Sequence, residues 1–212
     1  QNDKTLMLET NRRILRLSLF VIYPILIGLA AASSSIIRVV FTEVWLGMIP
    51  IMQILAINGL LIPLHRVNLN ILTVIGRTDL YLRLEIYKKA IAFITLSIAI
   101  ILRFDIQMFL WVLFINALLG YVINVHYSKQ FLDYGFKKQL LDIGPVLFVS
   151  VIMGVSVWMV PILFSINGIV LLLVQIVIGL LVYVTLSYLL LNKEFMTLWQ
   201  IIINIAQGKQ KA

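Results

Sequence analysis

Residues 49–76 read IPIMQILAINGLLIPLHRVNLNILTVIG, an apolar stretch of membrane-spanning length that nevertheless carries Asn58, Pro63, His65, Arg66, Asn68 and Asn70. A helix needs about 20 mostly apolar residues to cross a bilayer. An arginine at the centre of such a helix costs roughly 2.5–3.5 kcal/mol, so Arg66 requires a partner, a water-filled surface or a task. Pro63 has no backbone N–H and its ring crowds the preceding turn, so the span is expected to break or bend just before His65.

The rest of the chain is scaffold for that stretch. Hydrophobic residues make up 62% of it, charged residues only 12%, and the mean hydropathy is +1.05. Soluble domains hold about 45–50% apolar and about 25% charged residues, so this is an integral membrane protein. The period-2 alternation of a membrane barrel is absent, which makes the class all-α and polytopic. With no cysteine, thiolate metal sites are excluded. The net charge of +8 would point to nucleic acid in a soluble protein. Here the cations lie between apolar runs, so no nucleic-acid partner is expected and the bilayer is the environment.

Six spans are predicted, at about 14–37, 47–73, 84–102, 107–127, 140–164 and 169–191. Residues 1–12 read as a polar connector that is only partly helical. Pro24 should kink the first span, and the small residues from Gly28 to Ser35 allow close helix approach. Residues 165–168 form a turn, and the tail holds Lys193, Lys209 and Lys211. Together with the tail, Lys4, Arg12, Arg13, Arg16, Arg77, Arg83, Lys88, Lys89, Lys129, Lys137 and Lys138 fall on one side. Arg38 and Arg103 fall on the other. The positive-inside rule then puts both termini of the chain in the cytoplasm.

At 100° per residue, Asn58, His65, Arg66, Asn70, Thr73 and Arg77 share one face of the second span, and Gln53 and Asn68 lie off it. The functional reading is a cavity wall on which Arg66 and Arg77 grip an anion with planar, multidentate guanidinium groups. The competing reading has Arg66 snorkelling to the headgroups. Those lie about 15 Å away at 1.5 Å per residue, beyond the reach of the side chain. His65 either couples a proton, since an imidazole titrates near neutrality, or fills the gap left by Pro63 as a satisfied polar group. Lys88 and Lys89 are expected to snorkel to lipid phosphates. No HExxH or GxSxG motif is present, and the nine acidic residues fall in loops or at span ends. A transporter is therefore favoured over an enzyme, with no metal site and no cofactor. Coupling to a proton, to sodium or to the membrane potential is left open.

The Trp45 segment, PLHRVNLNIL at 63–72, the turn Gly76-Arg77-Thr78-Asp79 and LEIYKK at 84–89 carry a family resemblance. The opening Gln1-Asn2-Asp3 and LFVIYPILIGLA at 19–30 add to it. On these segments, and most strongly over 42–90, the chain resembles the Wzx-like oligosaccharide flippases of the superfamily that includes MATE exporters and MurJ-type lipid II flippases. The resemblance implies that residues 1–212 are the C-terminal lobe of a fourteen-helix transporter whose N-terminal helices lie outside this chain. It further implies that the cargo is an undecaprenyl-pyrophosphate-linked oligosaccharide, flipped across the bacterial inner membrane for lipopolysaccharide, O-antigen or capsule synthesis. Arg66 and Arg77 would then meet the pyrophosphate or an acidic sugar, with Asn58, His65 and Asn70 supplying hydrogen bonds. The alternatives are a MATE-type cation-coupled exporter, which needs carboxylates inside the spans, and a membrane enzyme of envelope polysaccharide synthesis.

Overall fold

Asn2–Ala31 forms one helix, α1, which passes through Pro24 without a break. The polar start predicted as a partly helical connector is thus continuous with the first span. Part of what holds it lies far along the chain. Arg12 donates from its Nε and a terminal nitrogen to the two carboxylate oxygens of Asp142, at 2.8 Å each. Tyr134 Oη donates to the same carboxylate at 2.7 Å, and the Arg12 guanidinium lies 6.0 Å from the Tyr134 ring centroid. The first span breaks at Ala32, and Ser33–Val40 forms the short helix α2.

In this computed structural model, which describes residues 2–164 and 167–206, all regular structure is helical. A 3-10 turn at Glu43–Met48 leads into α3 (Ile49–Gly59) and α4 (Ile62–Val74). The predicted break is present at Leu60–Leu61, and Pro63 sits in the first turn of α4, where its missing N–H costs nothing. Gly76 takes the left-handed conformation, φ +75°, in the turn to α5 (Thr78–Ile101). Helix α6 (Ile106–Leu132) is capped by Asp105, which accepts from the Met108 N–H at 2.8 Å. Then come α7 (Phe136–Leu163), α8 (Gly168–Leu190) and α9 (Asn192–Ala206). Part of the predicted turn at 165–168, and the tail lysines Lys209 and Lys211, lie outside the described residues.

Among the described residues, five stretches of helix are long and apolar enough to cross a membrane: Lys4–Ala31, Glu43–Val74, Ile106–Leu132, Phe136–Leu163 and Gly168–Leu190. The expected third span is a helix, α5, but is not among them. Any bilayer-length piece of α5 includes Glu85, Lys88 and Lys89.

Contact pairs give the helix directions. Arg12 meets Asp142 and Ile27 meets Gly154, so α1 and α7 run parallel. His65 meets Asn124 and Asn68 meets Ser128, so α4 and α6 also run parallel, while α5 opposes α6 through Lys88–Asn124 and Asn116–Thr95. These directions gather Arg12, Arg13, Arg16, Arg77, Arg83, Lys129, Lys137, Lys138 and Lys193 at one end of the bundle.

Leu15, Leu19, Ile71, Tyr134, Val146 and Val149, all close to fully buried, form the centre of the core. Bulky apolar residues such as Phe93, Ile101, Leu141 and Leu181 stand on the outside, as lipid-facing positions should. Within the core, Asn68 and Gln139 exchange amide hydrogen bonds of 3.0 and 2.7 Å. Ser128 Oγ donates to Asn68 at 2.6 Å, and Tyr121 Oη donates to Gln139 at 3.0 Å. This network joins α4, α6 and α7 and uses up Asn68, one of the two polar groups off the predicted stripe; the other, Gln53, donates to Ser33 Oγ at 3.2 Å. Asp142 lies near the start of α7, at the span end expected for a carboxylate, and is 5% exposed because Arg12 and Tyr134 satisfy it there.

Asp142→Asn keeps the size of the side chain and removes the charge facing Arg12. We expect a loss of about 2 kcal/mol, less than the full cost of breaking a buried pair because Arg12 is partly solvated, read as a lower melting midpoint in detergent. An unchanged midpoint would show that this pair does not hold α1 to α7. A Cβ at Gly154 would fall 2.5 Å from Ile27 Cγ2. Gly154→Ala should therefore cost about 1–3 kcal/mol by overpacking, and adding Ile27→Ala, which removes the obstructing methyl, should recover part of the loss.

Candidate functional site

The polar face of α4 lines a cavity of about 700 Å³ between α4, α5 and α6. His65, Arg66, Asn70 and Thr73 come from α4; Tyr81, Glu85, Lys88 and Lys89 from α5; Asn116 and Gly120 from α6. The α5 residues repeat at helical spacing, so one face of that helix turns its polar groups inward and leaves Phe93, Ile94 and Ile98 outside.

A chain of polar contacts crosses the inner wall. Glu85 pairs with Lys88 one turn on, and Lys88 Nζ donates to Asn124 Oδ1 at 3.2 Å. Asn124 Nδ2 lies 3.1 Å from His65 Nδ1, so the imidazole accepts at that nitrogen and carries its proton on Nε2. His65 also packs edge-on against Tyr121, with centroids 6.3 Å apart. Gly120 makes this convergence possible. A Cβ there would sit 3.2 Å from Lys88 Cδ and 3.3 Å from His65 Cε1. Asn116 Nδ2 donates to Thr95 Oγ1 at 2.8 Å and closes the far side.

Lys88 therefore does not snorkel as expected. Its side chain is 15% exposed and points into the bundle, because Glu85 and Asn124 offer a closer set of acceptors than the headgroups do. Arg66 and Lys89 face the cavity without a hydrogen bond or ion pair among the described residues. The cavity wall thus holds three cations against one carboxylate, and two of the three are unclaimed. Such a surface attracts anions, and the neighbouring amides offer hydrogen bonds to hydroxyl-rich groups.

Two of the expected stripe residues stand apart. Asn58 belongs to α3, and the break at Leu60–Leu61 shifts its phase relative to α4, so it does not line the cavity. Arg77 follows the left-handed Gly76 and turns away to the exposed Asp79, with contacts of 3.1 and 3.3 Å. Hydrogen bonding to Arg77 holds the Asp79 carboxyl below its usual range and raises the guanidinium. Glu85, Lys88, Asn116 and Asn124 were not assigned to the site from sequence. The helical spacing of 81, 85, 88, 89 and 92 on α5 is the signal that would have placed the first two. Among the described residues, no three His, Asp or Glu side chains gather as a metal site would require.

Over residues 1–50 the chain matches the model of a family described as polysaccharide biosynthesis protein. A 58-residue stretch is 45% identical to the teichuronic acid biosynthesis protein TuaB of Bacillus subtilis (strain 168), covering 27% of this chain and 12% of that protein. No solved structure matches the chain. The family match falls on α1, α2 and the turn into α3, so the cavity residues lie beyond it. The chain is thus a multi-pass helical membrane protein with a partial-length match to the polysaccharide biosynthesis protein family.

Proposed function

We propose that this chain is the C-terminal lobe of a flippase that moves an undecaprenyl-pyrophosphate-linked oligosaccharide across the bacterial inner membrane, for lipopolysaccharide, O-antigen or capsule synthesis. The observation that carries the reading is the cavity between α4, α5 and α6, where Arg66 and Lys89 present unpaired cations beside Asn70 and Asn116. Pyrophosphate oxygens suit the cations and sugar hydroxyls suit the amides. The partial match to polysaccharide biosynthesis proteins and to TuaB supports a role in polysaccharide synthesis.

On this reading α5 is a sixth span, with its charged residues turned into the cavity rather than towards lipid. Both termini of the chain face the cytoplasm, since the basic residues gather at one end. Arg66, Lys88, Lys89, His65 and Asn70 form the substrate surface, while Arg77 serves the cytoplasmic turn and Asn58 the helix above the break. The protein transports and does not catalyse. Asp142, a buried carboxylate near the start of α7, is committed to Arg12 and Tyr134 and so is not free for the cation that a MATE-type exporter would couple.

Arg66→Ala in the full-length protein is expected to lower surface polysaccharide export by about tenfold or more, the worth of one or two charge-assisted hydrogen bonds, with protein abundance unchanged. Normal export, or a loss matched by loss of protein, would overturn the role. Single cysteines introduced at Asn70 and Thr73 should react with a water-soluble maleimide, and those introduced at Leu64 and Ile71 should not. Labelling without regard to face would remove the water-filled cavity.

A further inference from the structure

A second polar cleft lies between α1 and α9, sharing no residue with the α4–α6 cavity. It measures about 380 Å³, with Arg12, Arg13 and Arg16 on one wall and Lys193 and Thr197 on the other, beside Glu9 and Glu194. Its cations are not equally engaged. Arg12 is held by Asp142, and Arg16 lies 3.4 Å from Glu194 and 4.0 Å from Asp142. Arg13 and Lys193 have no hydrogen bond from their side chains and no ion pair among the described residues.

The cleft continues into an adjoining cavity of about 370 Å³ that shares Arg16, Lys193 and Glu194 and is otherwise lined by Asp142, whose carboxylate is held by Arg12 and Tyr134, and by Leu141, Pro145, Val146, Leu190 and Leu191. A charged chamber therefore adjoins a slot lined partly by charged and partly by apolar side chains. The depth of this pair follows from α9. Phe195 and Leu198 pack on the core, while Met196, Trp199 and Ile203 form an exposed apolar stripe on the same helix. A helix with an apolar outer stripe and an outward tryptophan lies at a membrane interface, at the level of the headgroups.

We propose that this paired cleft and slot is a binding site for an anionic glycerophospholipid of the adjoining leaflet. The phosphodiester lies between Arg13, Arg16 and Lys193, and one acyl chain follows Leu190 and Leu141. The site depends on the helices spanning a bilayer and not on what the α4–α6 cavity transports.

Native mass spectrometry of the detergent-solubilised full chain, titrated with dioleoylphosphatidylglycerol or dioleoylphosphatidylcholine, tests the proposal. The first phosphatidylglycerol should bind about 25-fold more tightly than phosphatidylcholine, since Arg13 and Lys193 are each worth about a fivefold preference for anionic lipid. The double variant Arg13→Gln, Lys193→Gln should lose most of that preference; both side chains are unpaired, so the bundle keeps its fold. Arg38→Gln with Arg103→Gln, an equal change of charge at the opposite end, should retain it. No preference in the parent, or equal loss in both double variants, overturns the site. Displacement of the bound lipid by millimolar inorganic phosphate would make it a free-anion site. Stronger displacement by a polyprenyl phosphate than by excess phosphatidylglycerol would assign it to a carrier lipid. Either result overturns the proposal as stated.

Discussion

A carboxylate buried in a protein must find its full complement of partners there, and Asp142 finds them in Arg12 and Tyr134. That requirement fixes more than one pair. Arg12 lies on α1 and Asp142 on α7, so satisfying the charge sets the two helices parallel and in register, with Ile27 brought against Gly154 farther along. Tyr134, in the link between α6 and α7, is drawn into the same cluster, where burial and the hydrogen bond to Asp142 raise its hydroxyl well above the ordinary tyrosine value. The basic end of the bundle is organised around this one buried charge.

The same logic separates the two kinds of polar residue in the chain. Asn68, Gln139, Ser128 and Tyr121 satisfy one another inside the core, and they join α4 to α6 and α7. Polar groups that close on themselves in this way have nothing left to offer a ligand. Arg66 and Lys89 stand on the neighbouring helix faces with their donors unspent. On α4 the boundary between structural and available polarity runs between residues 68 and 70, a rotation of about 200°.

Much of this was legible in the primary structure. Composition alone settles an all-helical membrane protein, and the chemistry of Pro63 places the break at Leu60–Leu61. The 3.6-residue period puts His65, Arg66, Asn70 and Thr73 on one face. What was not legible depended on distant partners. The start of α1 is held by the core contacts of Met7 and Leu8 and by the pairing of Arg12 with Asp142, and the inward turn of Lys88 follows Glu85 and Asn124. The stripe was extended too far at both ends because a period assumes an unbroken helix. The break displaces Asn58, and the left-handed Gly76 frees Arg77 to meet Asp79. The family resemblance is strongest over residues 42–90, whereas the matching family model covers residues 1–50.

The interruption at Leu60–Leu61 has a mechanical side. It leaves α3 and α4 joined at a pivot rather than fused as a rod, and displacements about a pivot grow with distance from it. Arg66 lies about 7.5 Å along α4 from Leu61, and Thr73 about 18 Å. A tilt of roughly 10° would move the first by about 1.3 Å and the second by about 3 Å, from the same rise per residue. The charged floor of the cavity is thus the short arm of a lever and the Thr73 end the long arm, and any such tilt has to carry α6 and α7 with it, because Asn68 is bonded to Ser128 and Gln139.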